Sequence, residues 1–304
     1  MKATWKKEFL EKYSKLTDIE KFTEYSLKFL TRSIRVNTLK ISVDELKERL
    51  EKKLWRLRNI PWCEEGFWIE GLRFDIGNML EHTLGYFYIQ EAASMIPPVV
   101  LDPNKNDAVF DMCASPGSKT SQMAAMMENG GLIIANELKP SRITPLNCNL
   151  QRSGVVNAVI TCSNALAIKN ILFDKILLDA PCSGTGAIRK SLKTIKIWNP
   201  NMCLKLANTQ KKLLQHGFDL LKENGTIVYS TCTLEPEENE LVVDDFLNKN
   251  ENAKLEPIDI AGLRGKAVEE YDGETLRNEI KNCLRIWPQD YDTEGFFVAK
   301  IKKI

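Results

Sequence analysis

No apolar run in the 304-residue chain approaches the ~20 residues that a membrane-spanning helix needs. Nor does the start, Met1-Lys2-Ala3-Thr4-Trp5-Lys6-Lys7, carry the apolar core of a secretory signal, so a cytoplasmic location is expected. Charge of one sign is missing too. With 42 Lys and Arg against 41 Asp and Glu, the net charge is +1, and any polyanionic partner must be met by local patches. The eight cysteines, at 63, 113, 148, 162, 182, 203, 232 and 283, include no two within four residues of each other. That removes the paired spacing of zinc sites and dithiol redox motifs, and no metal is expected. Only two histidines occur, His82 and His216. Neither stands in a catalytic motif, so a Cys-His hydrolase is unsupported.

What is there reads as two units joined near residue 100, where Pro97-Pro98 and the turn cluster Asp102-Pro103-Asn104-Lys105-Asn106 fall. Residues 1–100 suggest a small α+β module. A helix is expected from about Trp5 to Leu30, a strand at Ser33–Leu39, and a helix from Val43 to Lys52 capped by Ser42. Trp55, Trp62, Trp68 and Phe74 are expected to form its apolar centre. Residues 101–304 alternate strand and helix. Strands are expected at Ala108–Met112, Leu132–Glu137, Ala158–Cys162, Lys175–Asp179 and Thr226–Ser230, with a final pair near Cys283–Ile286 and Phe296–Lys300. Continuous apolar runs such as Ile176-Leu177-Leu178 mark parallel strands buried on both faces. The expected fold class is therefore α/β, a doubly wound, mostly parallel sheet. Cys148, Cys162 and Cys203 are read as core or near-core thiols.

The loop Asp111-Met112-Cys113-Ala114-Ser115-Pro116-Gly117-Ser118-Lys119-Thr120 follows the first of these strands. A phosphate-binding P-loop would need glycine at Cys113 and Ser118, and the G-x-G-x-x-G dinucleotide fingerprint is absent. What remains is an acid at a strand end, a Pro-Gly turn and a helix start. Glu137, at the end of the next strand, is placed to meet ribose hydroxyls. A nucleoside without polyphosphate fits this arrangement, and a plain β-to-α turn is the simpler alternative. Cys182 and Cys232 each stand just past an apolar strand. If those strands are parallel neighbours, both thiols reach one cleft, where a thiolate is a strong nucleophile.

Those segments carry a resemblance. The run Asp111–Thr120, the block Leu177-Leu178-Asp179-Ala180-Pro181-Cys182-Ser183-Gly184-Thr185-Gly186, and Ser230-Thr231-Cys232-Thr233 with Glu235–Glu240 resemble the Sun/RsmB family of RNA (cytosine-5)-methyltransferases. Arg35-Val36-Asn37, Gln90-Glu91-Ala92-Ala93-Ser94, Arg285-Ile286-Trp287-Pro288 and Gly295-Phe296-Phe297-Val298-Ala299 extend the resemblance over nearly the whole chain. It implies a Rossmann-like class I methyltransferase domain, an N-terminal RNA-recognition-like module, S-adenosylmethionine as methyl donor, and a cytosine in RNA as acceptor. By the same resemblance, Cys113, Ala114, Ser115, Pro116, Gly117, Ser118 and Lys119 would hold the methionine part of the donor. Glu137 would hold its ribose, Asn164 its adenine end, and Arg142 the donor-side surface, with Asp179 between donor and base. Cys232 would be the nucleophile and Cys182 would assist release. Ser118 stands where the family commonly has glycine, and Glu137 and Asn164 stand where aspartates are usual.

Carbon 5 of cytosine is a weak nucleophile. Addition of the Cys232 thiolate to carbon 6 makes it enamine-like and able to take a methyl group. Asp179 is the candidate to offset the charge that develops near N3, and Lys119 would favour the thiolate. For RNA, the basic loop Arg189, Lys190, Lys193 and Lys196, ending at Trp198, offers phosphate contacts and an aromatic platform. Lys52, Lys53, Arg56 and Arg58 form a second cluster, with Arg32, Arg35 and Lys40 on the same module. No membrane and no obligate protein partner are expected, and no RNA-binding domain is expected beyond the catalytic unit. Transfer RNA is favoured over ribosomal RNA. A DNA or protein methyltransferase and a catalytically lapsed RNA-binding protein are the alternatives.

Overall fold

The computed structural model describes residues 5–71 and 75–304. Met1 to Thr4 and Phe74 lie outside them. The expected first helix is two helices, Lys7–Tyr13 and Ile19–Leu27, the second capped by Asp18, whose carboxylate accepts from Lys21 N–H at 3.1 Å. Their aromatic face, Phe9, Tyr13 and Phe22, is fully buried. It packs on Trp198 and Trp287 of the second unit rather than on the small sheet. Burying each such side chain contributes roughly 1.5–3 kcal/mol, enough to hold both helices against the larger domain.

Four strands form the small sheet: β1 Ser33–Val36, β2 Arg56–Ile60, β3 Cys63–Glu70 and β4 Phe87–Ile89, in the order β2-β3-β1-β4, all antiparallel. A helix, Val43–Glu51, joins β1 to β2, with the Ser42 hydroxyl accepting from Glu45 N–H as its cap. A one-turn helix, Leu80–Thr83, precedes β4. This β-α-β-β-α-β order is that of an RNA-recognition motif. One face of the sheet, with Ile34, Val36, Phe67 and Ile69, buries Leu46 and Leu50 of the first of these helices, and Trp55 lies in the same cluster.

The other face differs from expectation. Trp62 and Trp68 belong to the apolar cluster of the second unit, alongside Val109, Ile133, Leu177 and Val228, not to the centre of the module. Arg35 is 2% exposed, donating to Gln90 Oε1 at 2.9 Å and to the Ser121 hydroxyl at 2.9 Å. The surface that an RNA-recognition motif leaves open is therefore closed onto the catalytic domain. Lys40 reinforces this joint, donating to the carbonyls of Leu84 and Arg152.

The large sheet contains β5 Ala108–Asp111, β6 Leu132–Glu137, β7 Ala158–Cys162, β8 Phe173–Asp179, β9 Leu221–Thr231 and β10 Ala253–Glu256. After a two-residue ladder, β11 Glu270–Tyr271 with β12 Glu274–Thr275, come β13 Leu284–Ile286 and β14 Phe296–Lys303. The order is β10-β14-β9-β8-β5-β6-β7, with β13 paired to β14. Strands β5 to β9 are parallel, while β14 runs antiparallel between β9 and β10. Alternate residues point to opposite faces: Val109, Leu177 and Val228 enter one core, and Phe110, Ile176, Leu178, Ile227 and Tyr229 the other. Helix Ile96–Leu101 packs its apolar residues into the first of these cores. Chain order reverses between β5 and β8, and the crevice at such a switch point is where open α/β sheets bind ligands. Among the described residues, no helix is long and apolar enough to cross a membrane.

Candidate active site

Asp111 and Asp179 end the two strands that flank the switch point. Between them starts the helix Ser118–Met126, entered through Gly117 at φ +99°, a left-handed conformation natural to glycine. A Cβ there would also press on Leu146 at 3.1 Å. Ser118 takes the first helical position, where an L side chain is unstrained, so the serine is accommodated.

A cavity of about 420 Å³ opens over this point, of the size that small-molecule sites occupy. Cys113, Ala114, Ser115, Pro116, Ser118, Lys119, Arg142, Asp179 and Cys232 all line it. Cys182, Gly117, Glu137 and Asn164 do not. Glu137 is 3% exposed, its carboxylate 3.2 Å from Arg142 and accepting from Lys139 N–H. The Asn164 side chain accepts from Leu166 N–H and caps a short turn.

Strands β8 and β9 are parallel neighbours with Asp179 opposite Ser230. The two loops that follow them therefore meet, and Cys182 Sγ lies 3.4 Å from Cys232 Sγ. The hydrogen bond to Cys232, reinforced by burial and by the charges of Glu238 and Asp179, pushes the Cys182 thiol well up from its ordinary value. Either sulfur can be the donor in this contact. Gly186 N–H donates to the Cys232 carbonyl, and a Cβ on Gly186 would sit 2.1 Å from the Gly295 carbonyl; only glycine permits this approach. The loop after Cys232 is anchored from behind. Ser183 and Thr185 hydroxyls meet Thr233, and the buried Arg285 pairs with Glu240 and donates to the Leu234 carbonyl.

Lys119 connects the halves of the site, donating to Asp179 Oδ2 at 2.7 Å and to the Ser94 hydroxyl at 2.9 Å. Burial pulls its ammonium down, but the Asp179 carboxylate and the Cys232 sulfur outweigh this and leave it raised. Asp179 also accepts from the Ser230 hydroxyl at 2.9 Å, so it acts in a shared hydrogen-bonded arrangement. Asp111 accepts from Thr120 through one oxygen, while its other oxygen is buried without a partner. Burial, then the charge of Asp179, pushes Asp111 up to about 7. An orphaned carboxylate oxygen at the donor loop suits a ligand with an ammonium group, which the methionine end of S-adenosylmethionine provides, so the residues present fit that molecule.

Two matches complete the description: the family model described as "16S rRNA methyltransferase RsmB/F" covers residues 98–302, and that of the "N-terminal domain of 16S rRNA methyltransferase RsmF" covers residues 6–92. The chain belongs to the RsmB/F family of S-adenosylmethionine-dependent RNA cytosine-5 methyltransferases. It is 45% identical over 98% of its length to a tRNA (cytosine(49)-C(5))-methyltransferase of Pyrococcus abyssi, covering 96% of that protein. It is 44% identical over 94% of its length to ribosomal RNA small subunit methyltransferase F of Shewanella piezotolerans, of which it spans 60%. A methyltransferase homolog of Pyrococcus horikoshii superposes with a TM-score of 0.84 at 39% identity, covering 98% of this chain and all of that one. NSun6 from the same organism, crystallised with SFG, gives 0.86 at 25% identity, covering 99% of each chain.

Several expected RNA contacts of this RsmB/F member lie elsewhere in the fold. Trp198 is 1% exposed and donates to Glu235, so it is core rather than a stacking platform. The Arg189 guanidinium is buried against Asp292 and the carbonyls of Phe29 and Thr293. In the second cluster, Lys52 and Lys53 pair with Glu48 and Glu81 and Arg58 covers Trp68 at 4.0 Å, yet these three and Arg56 all stay exposed. Lys190, Lys193 and Lys196 stay exposed. Cys148 and Cys162 are exposed, against expectation, while Cys203 is buried. Asp111, Glu91, Glu294 and Phe296 line the cavity without having been singled out. Their segments belonged to the resemblance, but only the sheet order brings them together.

Proposed function

We propose that the enzyme methylates carbon 5 of a cytosine in transfer RNA through a covalent adduct on Cys232. The observation that carries this reading is the 3.4 Å contact of Cys232 with Cys182 beside the Lys119–Asp179 pair. S-adenosylmethionine, when bound, supplies an electrophilic methyl group. The loop Cys113–Lys119 with Asp111 would hold its methionine part, with Glu137, Arg142 and Asn164 on the nucleoside side. The Cys232 thiolate adds to carbon 6, and Lys119 with its counter-charge Asp179 offsets the negative charge developing at N3. On elimination, carbon 5 gives its proton to a base beside Cys182. The bond from carbon 6 to Cys232 breaks, its electron pair returning to sulfur, and the Cys182 thiol donates to the departing thiolate.

Transfer RNA is favoured because the Pyrococcus abyssi relative matches along 98% of this chain and 96% of its own. Ribosomal RNA is the second reading, supported by the family description and by relatives of which this chain spans about 60%. The test uses labelled donor with unmodified tRNA and ribosomal RNA transcripts. Cys232→Ala should abolish both methylation and covalent RNA adduct, whereas Cys182→Ala should let the adduct accumulate. Methylation retained in Cys232→Ala would overturn the nucleophile assignment, and labelling of ribosomal RNA alone would overturn the choice of transfer RNA.

A further inference from the structure

A second pair of acids shares the cavity with Cys232. Glu294 immediately precedes Gly295, which packs on Gly186 beside the Cys232 carbonyl. Glu91 follows the last strand of the small sheet. Both line the cavity with Lys119, Asp179 and Cys232. Glu91 is occupied: one oxygen accepts from Glu294 N–H at 3.1 Å and the other from Ala93 and Ser94 N–H at 2.7 and 3.2 Å. Glu294 is 5% exposed, and its Oε1 is buried with no hydrogen-bond partner. Leaving a buried carboxylate oxygen unpaired is costly. Burial and then repulsion by Glu294 push Glu91 up to about 8, and burial raises Glu294 as well. Such a pair either retains a proton or takes a donor from a ligand.

Sheet order says which ligand. Glu294 lies two residues before β14, next to β9 and its Cys232 loop, while the donor loop follows β5, two strands beyond β9. The N–H donor that cytosine brings to the thiol side is its exocyclic 4-amino group. Resting on the RNA cytosine reading above, we infer that Glu294 selects the target base, its carboxylate accepting a hydrogen bond from that amine while Glu91 fixes the backbone beneath it. Uracil would set a carbonyl oxygen against the same carboxylate and be rejected, as sites built to pair one polar group reject the analogue lacking it.

The test compares wild type, Glu294→Ala and Glu294→Gln on three tRNA transcripts. At the position that wild type methylates, they carry cytidine, uridine or zebularine, which is cytidine without its amine. Melting temperature and S-adenosylmethionine binding establish that the variants are folded. Loss of one charge-assisted hydrogen bond is expected to lower kcat/KM on the cytidine RNA by about 10- to 100-fold. The alanine variant should leave the zebularine RNA within a few-fold of wild type, so that the preference for cytidine collapses, with glutamine intermediate. Undiminished preference in a folded Glu294→Ala enzyme overturns the inference alone. No methylation of the cytidine transcript by wild type overturns the tRNA reading, and the inference with it.

Discussion

The Lys119 ammonium lies 2.7 Å from Asp179 Oδ2 and also within reach of the Ser94 hydroxyl, so a buried cation on the donor-loop helix is fixed to the acid at the end of β8. Lys119→Met removes the charge while keeping an unbranched side chain. Methyl transfer should fall by about 10²- to 10⁴-fold, the usual range for a lost proton-handling or charge-stabilising group. Trapping with RNA containing 5-fluorocytidine should show slower adduct formation, because the addition step is the one deprived of its counter-charge. A variant that forms adduct at the wild-type rate would remove Lys119 from the mechanism.

Asp111 gives a pH dependence whose sign follows from its burial. A carboxyl whose folded-state value lies above its unfolded value favours the folded state at pH below the unfolded value near 4. That advantage is lost as pH rises to the folded value, here about 7. The ligand-free enzyme should therefore lose part of its stability between about pH 4 and 7, and Asp111→Asn should flatten that slope in urea titrations. An unchanged slope would mean that Asp111 titrates normally.

The catalytic sheet was readable because its strands are short apolar runs with acids or thiols at their ends; Leu132–Glu137 and Ala158–Cys162 coincide with the expected bounds. Both thiols and the donor loop converge as their strand-end positions required. What escaped was the fate of polar and aromatic residues whose partners are distant in sequence. Trp198 looks like a platform beside lysines until Phe9, 189 residues earlier, stacks edge-on against it. Arg35 and Arg189 look like surface cations until Ser121 and Asp292 bury them. Local pattern reports propensity and period, whereas a buried arginine depends on a partner that only the packed domains supply.

Arg35 accordingly acts as a joint. Its guanidinium bridges Gln90 and the Ser121 hydroxyl under the small sheet, and hydrogen bonds to a charged group are worth about 1.5–3 kcal/mol each when broken. Arg35→Ala should lower stability by a few kcal/mol, read as a fall in the denaturant midpoint. In the folded variant, the salt dependence of RNA binding should stay unchanged. A reduced salt slope would restore Arg35 as a phosphate contact.

A test of phosphate contact falls first on Lys190, Lys193 and Lys196. All three are exposed, and Lys190 lines both the catalytic cavity and an adjoining groove of about 370 Å³ that runs past Phe29 and Ser33. An RNA strand entering along that groove would place its backbone against these ammonium groups. Each phosphate contact releases a bound counterion, so the logarithm of affinity falls with the logarithm of salt concentration by about 0.7–0.9 per contact. Replacing the three lysines with glutamine one at a time should therefore reduce the slope by up to about 1 per residue and weaken binding equally for different sequences. Arg189→Gln is the internal control, since its guanidinium is already committed to Asp292 and two carbonyls. It should cost stability and leave the slope alone, whereas an unchanged slope in all three lysine variants would put the RNA on another face.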